Sequence, residues 1–265
     1  MRSGPVVALL GLLFGACALS APPADETLSS ASGIDALAQD ALNAARAAPS
    51  DAAAQMFATE RLFQAADLRL QQATVAWLDL HRDADRATVL AAEDRLGDDV
   101  RAGIVSLCNE GLACAERAVN TRPDDAAARL HEGLHVSLLA WANGPARSLM
   151  AGYGGRLVKA IDAAIAANAA LDGGAPLRLQ GRFRSKAPWP YGDVAAGTRA
   201  LARAVALRSV PVNHLFYGDA LAAAGDTGAA EEQWRLCIGA PADDSTRWSA
   251  DLLRELARRR LAAKP

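Results

Sequence analysis

The stretch Phe216–Pro241, FYGDALAAAGDTGAAEEQWRLCIGAP, decides how the chain is read. Gly218 and Ala220 are small residues that let a second helix lie close, and Gly225-Asp226 supplies a turn. Ala230, Trp234 and Cys237 then follow at helical spacing, and Pro241 stops the second helix. The pattern specifies two antiparallel helices in which a large side chain fills the space that small ones leave.

Working outward, the arrangement recurs. In GLACAERAVNTRPDDAAARLHEGL, Gly111, Ala115 and Ala118 are the small residues, Pro123 closes the hairpin, and Gly133 falls ten residues past it. A third copy has Gly192-Asp193 at the turn with Gly197, Leu201 and Ala204 after it. A looser fourth copy runs through Ala160, Ala164 and Ala167 to Asp172. The register slips at Gly181 and Gly218, and SKAPWP is an insertion. These offsets match the tetratricopeptide repeat, in degenerate form. Further upstream, Ile34–Ala47 and Asp51 to about His81 read as a helix pair separated by Pro49, and DRATVLAAEDRLG adds a short helix. A last helix from about Asp243 to Ala262, with RELARRR near its end, reads as a polar cap. The expected fold is therefore all-α: a degenerate tetratricopeptide-like helical-hairpin solenoid. It has about four helix pairs, N-terminal helices and a C-terminal capping helix.

Composition agrees. Just over half of the 265 residues are hydrophobic, chiefly alanine, and aromatics are only 5%. Plentiful Ala, Leu, Arg and Glu favour helix over sheet. A net charge of −2 lacks the basic excess of a nucleic-acid binder.

The N-terminus reads as a targeting segment. Arg2 precedes an apolar run, Val6–Phe14, that is too short to span a bilayer and has the size of a signal-peptide core. Gly15-Ala16 before Cys17 resembles a bacterial lipobox, with Cys17 as the lipidated residue; ordinary cleavage after ALS or ACA is the alternative. Residues 1–16 are then a signal peptide, residues 17–33 a flexible, lipid-anchored tether, and residues 34–265 one helical domain. Removing Arg2 with the leader leaves 27 basic residues against 30 acidic, a net charge of −3. Export, periplasmic residence and anchoring by lipid alone are expected. Cys108 and Cys114 lie six apart on one helix, about 9 Å along its axis, too far to bridge. They read as small core residues, while a bridge from Cys237 to either stays open.

Two stretches carry candidate chemistry. His131-Glu132-Gly133-Leu134-His135 spells the H-E-x-x-H pattern of zinc peptidases, with two imidazoles one helical turn apart. Catalysis would also need a third ligand and a sheet edge for the substrate. No Glu occurs between Glu132 and Glu231, no His between His135 and His214, and no segment reads as a strand. The motif is better explained as a repeat helix whose Gly133 serves close packing. It leaves His131 and His135 as a surface pair able to chelate a metal without catalysis, and a zinc hydrolase as the less favoured alternative. The second stretch is LRLQGRFRSKAPWPYGD, Leu177–Asp193, where Pro188 and Pro190 bracket Trp189 and keep it out of a helix. Either Trp189 plugs the gap at the register slip, or the loop lines a ligand groove or docks a partner. Trp189, Tyr191 and Arg182, with Trp141, are the candidate binding residues.

That second stretch, with ALARAVAL (200–207) and VNHLFYGDALAAAGDTGAAEEQW (212–234), is similar to the T-component proteins of TRAP transporters, a family of helical lipoproteins. GLACAERAV, RPDDAAARLHEGL and GGRLVKAIDAAIAAN match in order, so the resemblance runs from about Asp51 to the C-terminus. It implies a non-enzymatic, cofactor-free envelope protein with a groove or pore through a helical body. Such a protein associates with an extracytoplasmic solute-binding protein, and the resemblance is compatible with an apolar or organic-acid ligand and with a homo-oligomer. A general envelope scaffold with no transport role is the alternative.

Overall fold

Aspartates set the helix starts. Asp51 accepts from the backbone N–H groups of Ala53 and Ala54 at 2.8 and 3.3 Å, and Asp125 from those of Ala127 and Ala128. Asp85, Asp193 and Asp226 each cap the N–H three residues on. Each cap satisfies donors that have no partner inside the helix, which is why these helices begin where the sequence places them.

The computed structural model describes residues 31–264. Eleven helices occur among them: α1 (Ala31–Ala47), α2 (Ala52–Leu80), α3 (Arg86–Leu90), α4 (Asp98–Thr121), α5 (Ala126–Met150), α6 (Tyr153–Asn168), α7 (Leu171–Lys186), α8 (Val194–Leu207), α9 (Pro211–Ala223), α10 (Thr227–Gly239) and α11 (Ala250–Ala262). Single 3-10 turns stand at Ala92–Arg95 and Arg247–Ser249. No strand occurs among the described residues, only an isolated bridge between Asp85 and Lys264. No described helix is long and apolar enough to cross a membrane. The expected signal peptide and Cys17 lie outside the described residues, as does most of the expected tether. Its last residues, 31–33, belong instead to α1.

The chain is all-helical with neighbouring helices packed in pairs: α1 on α2, α4 on α5, α5 on α6, α7 on α8, α9 on α10. The opening stretch explains one of these pairings. Trp234 of α10 is fully buried against Gly218 of α9, where a Cβ would fall 2.5 Å from its Nε1. The pair α7–α8 closes in the same way, with the Gly197 backbone against the Gly181 carbonyl. Near the start of α7, Asp172, Gly173 and Gly174 all take positive φ and break the helix there.

Helix α2, at 29 residues, is the long spine that touches α1, α4, α5 and α11. The last helix differs from expectation at its start. Asp243 does not begin it; its carboxylate accepts from the Ser245 and Thr246 hydroxyls at 2.8 Å, folding a turn, and α11 starts at Ala250. It packs on α10 and back on α2, α3 and α9, with Arg260 near its end buried.

Candidate functional site

The H-E-x-x-H stretch is core, which corrects the expectation of a surface imidazole pair. His135 is wholly buried and His131 nearly so, because the face of α5 that carries them turns toward α2 and α4. The Phe63 ring meets both imidazoles edge-on, and His135 Nε2 donates to the Thr59 carbonyl at 3.0 Å. That bond fixes the tautomer, since a carbonyl only accepts. Both Nδ1 atoms are buried without a partner. Burial pushes His131 down to about 3, with the neighbouring His135 adding to it, and His135 down to about 4 against its bond to Thr59. Glu132 points away and pairs with Arg129 and Arg156 at 3.2 and 3.0 Å. No group of three or more His, Cys, Asp or Glu able to hold a metal occurs among the described residues.

Trp189 does not plug the core; it is 90% exposed. Its loop is nevertheless anchored. The Tyr191 and Gly192 N–H groups donate to the Pro188 carbonyl at 3.1 and 3.0 Å, and the Asp193 N–H to the Arg184 carbonyl at 2.8 Å. Tyr191 packs beside Phe183 and over Gly154 of α6, where any Cβ would clash with its ring. The end of α5, just before α6, leaves Leu149 and Met150 72% and 86% exposed. The loop thus offers one large rigid aromatic on a fixed base.

The remaining predicted residues do not join it. Trp141 is half-buried on α5, with the Arg101 guanidinium 4.5 Å above its ring and its Nε1 without a partner. Arg182 reaches into a polar seam between α2, α7, α9 and α11. It donates to Asp219 at 3.0 Å and to Glu93 at 2.8 Å, with Phe216 beneath its guanidinium at 4.4 Å. Arg260 grips the same Asp219 at 2.5 and 2.9 Å, Trp234 Nε1 donates to it at 3.1 Å, and Lys186 pairs with Glu93. Burial would push Glu93 up, but Arg182 and Lys186 hold it at about 2; Arg260 and Arg182 likewise keep Asp219 low against its burial.

Sequence reasoning missed this seam, and one signal could have found it. Gln64, Asp67, Gln71 and Thr74 recur at helical spacing along α2 as a polar stripe. Gln64, Gln71 and Thr74 are buried, and Gln71 donates to Asp67 at 2.6 Å. Burial raises Asp67 to about 6, opposed by Gln71 and Arg182. Residues Arg178 of α7 and Asn213 of α9 complete the seam.

Cys108, Cys114 and Cys237 are buried and free, so no disulfide joins them. Burial pushes all three thiols up, Cys237 to about 12. Two surface clefts, of about 320 and 390 Å³, lie at the Arg208–Asp243 pair and between Arg69 and Asp99; neither includes a predicted binding residue. No protein-family model matches the chain, and no curated protein matches it.

Proposed function

We propose that the protein is a non-enzymatic binding protein of the cell envelope, a degenerate tetratricopeptide-like solenoid akin to the T-components of TRAP transporters. It is exported, anchored through Cys17, and binds an extracytoplasmic solute-binding protein. The observation that carries the reading is Trp189: an almost fully exposed tryptophan on an anchored loop, in the segment where the family resemblance is most specific. A fixed aromatic loses little conformational entropy on docking, which is what binding hot spots exploit. The pairwise helix packing and the insertion of Trp234 at Gly218 support the repeat architecture.

The test is direct titration of the mature protein with a TRAP-type extracytoplasmic solute-binding protein from the same genome. Binding that weakens at least tenfold, about 1.4 kcal/mol, in Trp189→Ala supports the reading. No binding to that partner by titration and by co-purification overturns the transport role.

A further inference from the structure

The short link between α8 and α9 holds Ser209 in a fixed position. Pro211 opens α9 with a preset φ, and Val210 before it is buried. On the other side, the Arg208 carbonyl is gripped at 2.8 Å by the side chain of the fully buried Asn213. Between these anchors Ser209 is exposed, and its Oγ lies 2.8 Å from Nε2 of His214, one turn into α9. His214 is only 3% exposed, and its Nδ1 lies 2.8 Å from Oε1 of Gln233 on α10.

These two bonds order the protons. An amide oxygen only accepts, so Nδ1 carries the imidazole hydrogen and donates it to Gln233. Nε2 is left with its lone pair, and the Ser209 hydroxyl donates to it. A serine beside a helix start ordinarily bonds a free backbone N–H. Here α9 has no side-chain cap, and Ser209 bonds an imidazole instead. A nucleophile within reach of a base whose far side is oriented by a third group is the arrangement that activates serine for acyl transfer.

The hydroxyl also has a place to meet a substrate. Ser209 lines the cleft of about 320 Å³ at the Arg208–Asp243 pair. The charges there are matched, Arg208 with Asp243 at 3.1 Å and Arg247 with Asp244 at 2.6 Å, while Val210, Pro241 and Ala242 supply apolar wall. Such a lining suits an uncharged ligand with a short apolar chain better than an ion, which would have to compete with the existing pairs.

From this relay and its cleft, we infer that Ser209 is a modification site, a nucleophile acylated by short-chain activated esters. Oγ attacks the ester carbonyl carbon while His214 Nε2 takes the hydroxyl proton, and the imidazolium keeps its Nδ1–H on Gln233. The tetrahedral intermediate collapses, the bond to the leaving alcohol oxygen breaks, and Nε2 returns the proton to that oxygen. One ester and one serine give one acyl-serine and one alcohol, with no change of oxidation state. A neutral Gln233 stabilises the imidazolium less than a carboxylate would, which keeps the reaction slow. Because His214 is buried, an acyl group on Ser209 stands between Nε2 and water, and the adduct persists. The product is a stoichiometric covalent mark rather than turnover, so it is compatible with a binding role. The cleft includes none of the residues of the Trp189 surface, and failure of either assignment leaves the other standing.

The experiment incubates the mature protein with p-nitrophenyl acetate and follows p-nitrophenolate release, intact mass and peptide maps. The expected result is release of one equivalent and gain of one acetyl group, mapped to Ser209 and not to the exposed Ser106 of α4. Ser209→Ala abolishes this release, and His214→Gln slows it at least about tenfold. Gln233→Glu places a carboxylate behind the imidazole and speeds acetylation, an effect that a merely structural Gln233 would not give. Should His214→Gln not fold, Ser209→Ala and Gln233→Glu decide. An acetyl map that lacks Ser209, or unchanged release in Ser209→Ala, overturns the assignment. So does slower acetylation in Gln233→Glu, and so does Ser209-dependent release that continues far past one equivalent, which is turnover rather than marking.

Discussion

The imidazole of His135 lies against the backbone of Gly111: a Cβ at Gly111 would fall 2.1 Å from Cε1 and 2.3 Å from Nε2. The ring cannot retreat without giving up its bond to the Thr59 carbonyl, and Thr59 in turn donates through its hydroxyl to the Gly111 carbonyl at 2.9 Å. Helices α2, α4 and α5 are thus locked at one point by one glycine, one histidine and one threonine.

Gly111→Ala is therefore expected to destabilise the protein. Alanine gains about 1 kcal/mol of helix propensity, but overpacking a fixed core costs about 1–3 kcal/mol, and here the obstructing atoms belong to a pinned ring. The net expectation is a loss of up to about 2 kcal/mol in urea denaturation. Gly228→Ala is the control: it sits in α10 with nothing within 4 Å of the added Cβ. There the propensity gain stands alone, and a stabilisation of about 0.5–1 kcal/mol is expected. If Gly111→Ala raises the midpoint as Gly228→Ala does, the lock is absent.

Stability should fall on mild acidification. His131 and His135 have folded values of about 3 and 4, below the ordinary 6.5, so between 6.5 and those values the unfolded chain binds protons that the folded one refuses. That contribution is present above pH 6.5 and lost as pH falls, about 2 kcal/mol for each histidine at pH 5. Asp67 works in the opposite sense: with a folded value of about 6 it keeps a proton that the unfolded carboxyl, near 3.8, releases. It returns about 1 kcal/mol over the same interval. The net expectation is a loss of about 2–3 kcal/mol between pH 7 and 5, checked by urea midpoints at both values. His131→Gln should remove about 2 kcal/mol of that loss, the larger part of it, and an unchanged loss would show that the histidines are not its source.

Zinc should not stabilise the native protein. The imidazoles are buried, and a metal could reach them only by breaking the Thr59 bond or displacing Phe63. A ligand that binds the folded state raises its melting temperature, and further as its concentration exceeds Kd. No rise is therefore expected across a zinc titration, and a rise that His131→Ala abolishes would contradict the buried placement.

Asp219→Asn removes a charge that two arginines share. Arg182 and Arg260 both contact this carboxylate, whose side chain is 7% exposed. Losing one partner of a buried ionic cluster costs about 3–5 kcal/mol, because the remaining charges stay buried. The asparagine variant keeps the shape, so the loss measures charge rather than packing. A change below about 1 kcal/mol in chemical denaturation would mean that water, not Asp219, stabilises the guanidinium groups.

The sequence by itself determined the helices and their pairing. Caps act within three residues, as Asp226 does on Ala229, and the alternation of small and large residues is periodic along each helix, as Gly218 and Trp234 show. Such signals are local, so they survive in one dimension. Most of the candidate chemistry was decided only by the tertiary structure. Arg182 finds Asp219 37 residues away and Glu93 89 residues away, while Arg178, one turn along the same helix, finds no carboxylate in contact. His131 and His135 looked like a surface pair because helix periodicity fixes the angle between two faces but not what covers each. Whether a polar side chain on a helix is solvated, saturated or left open depends on which distant residues the packed helices bring beside it, and no local pattern encodes that.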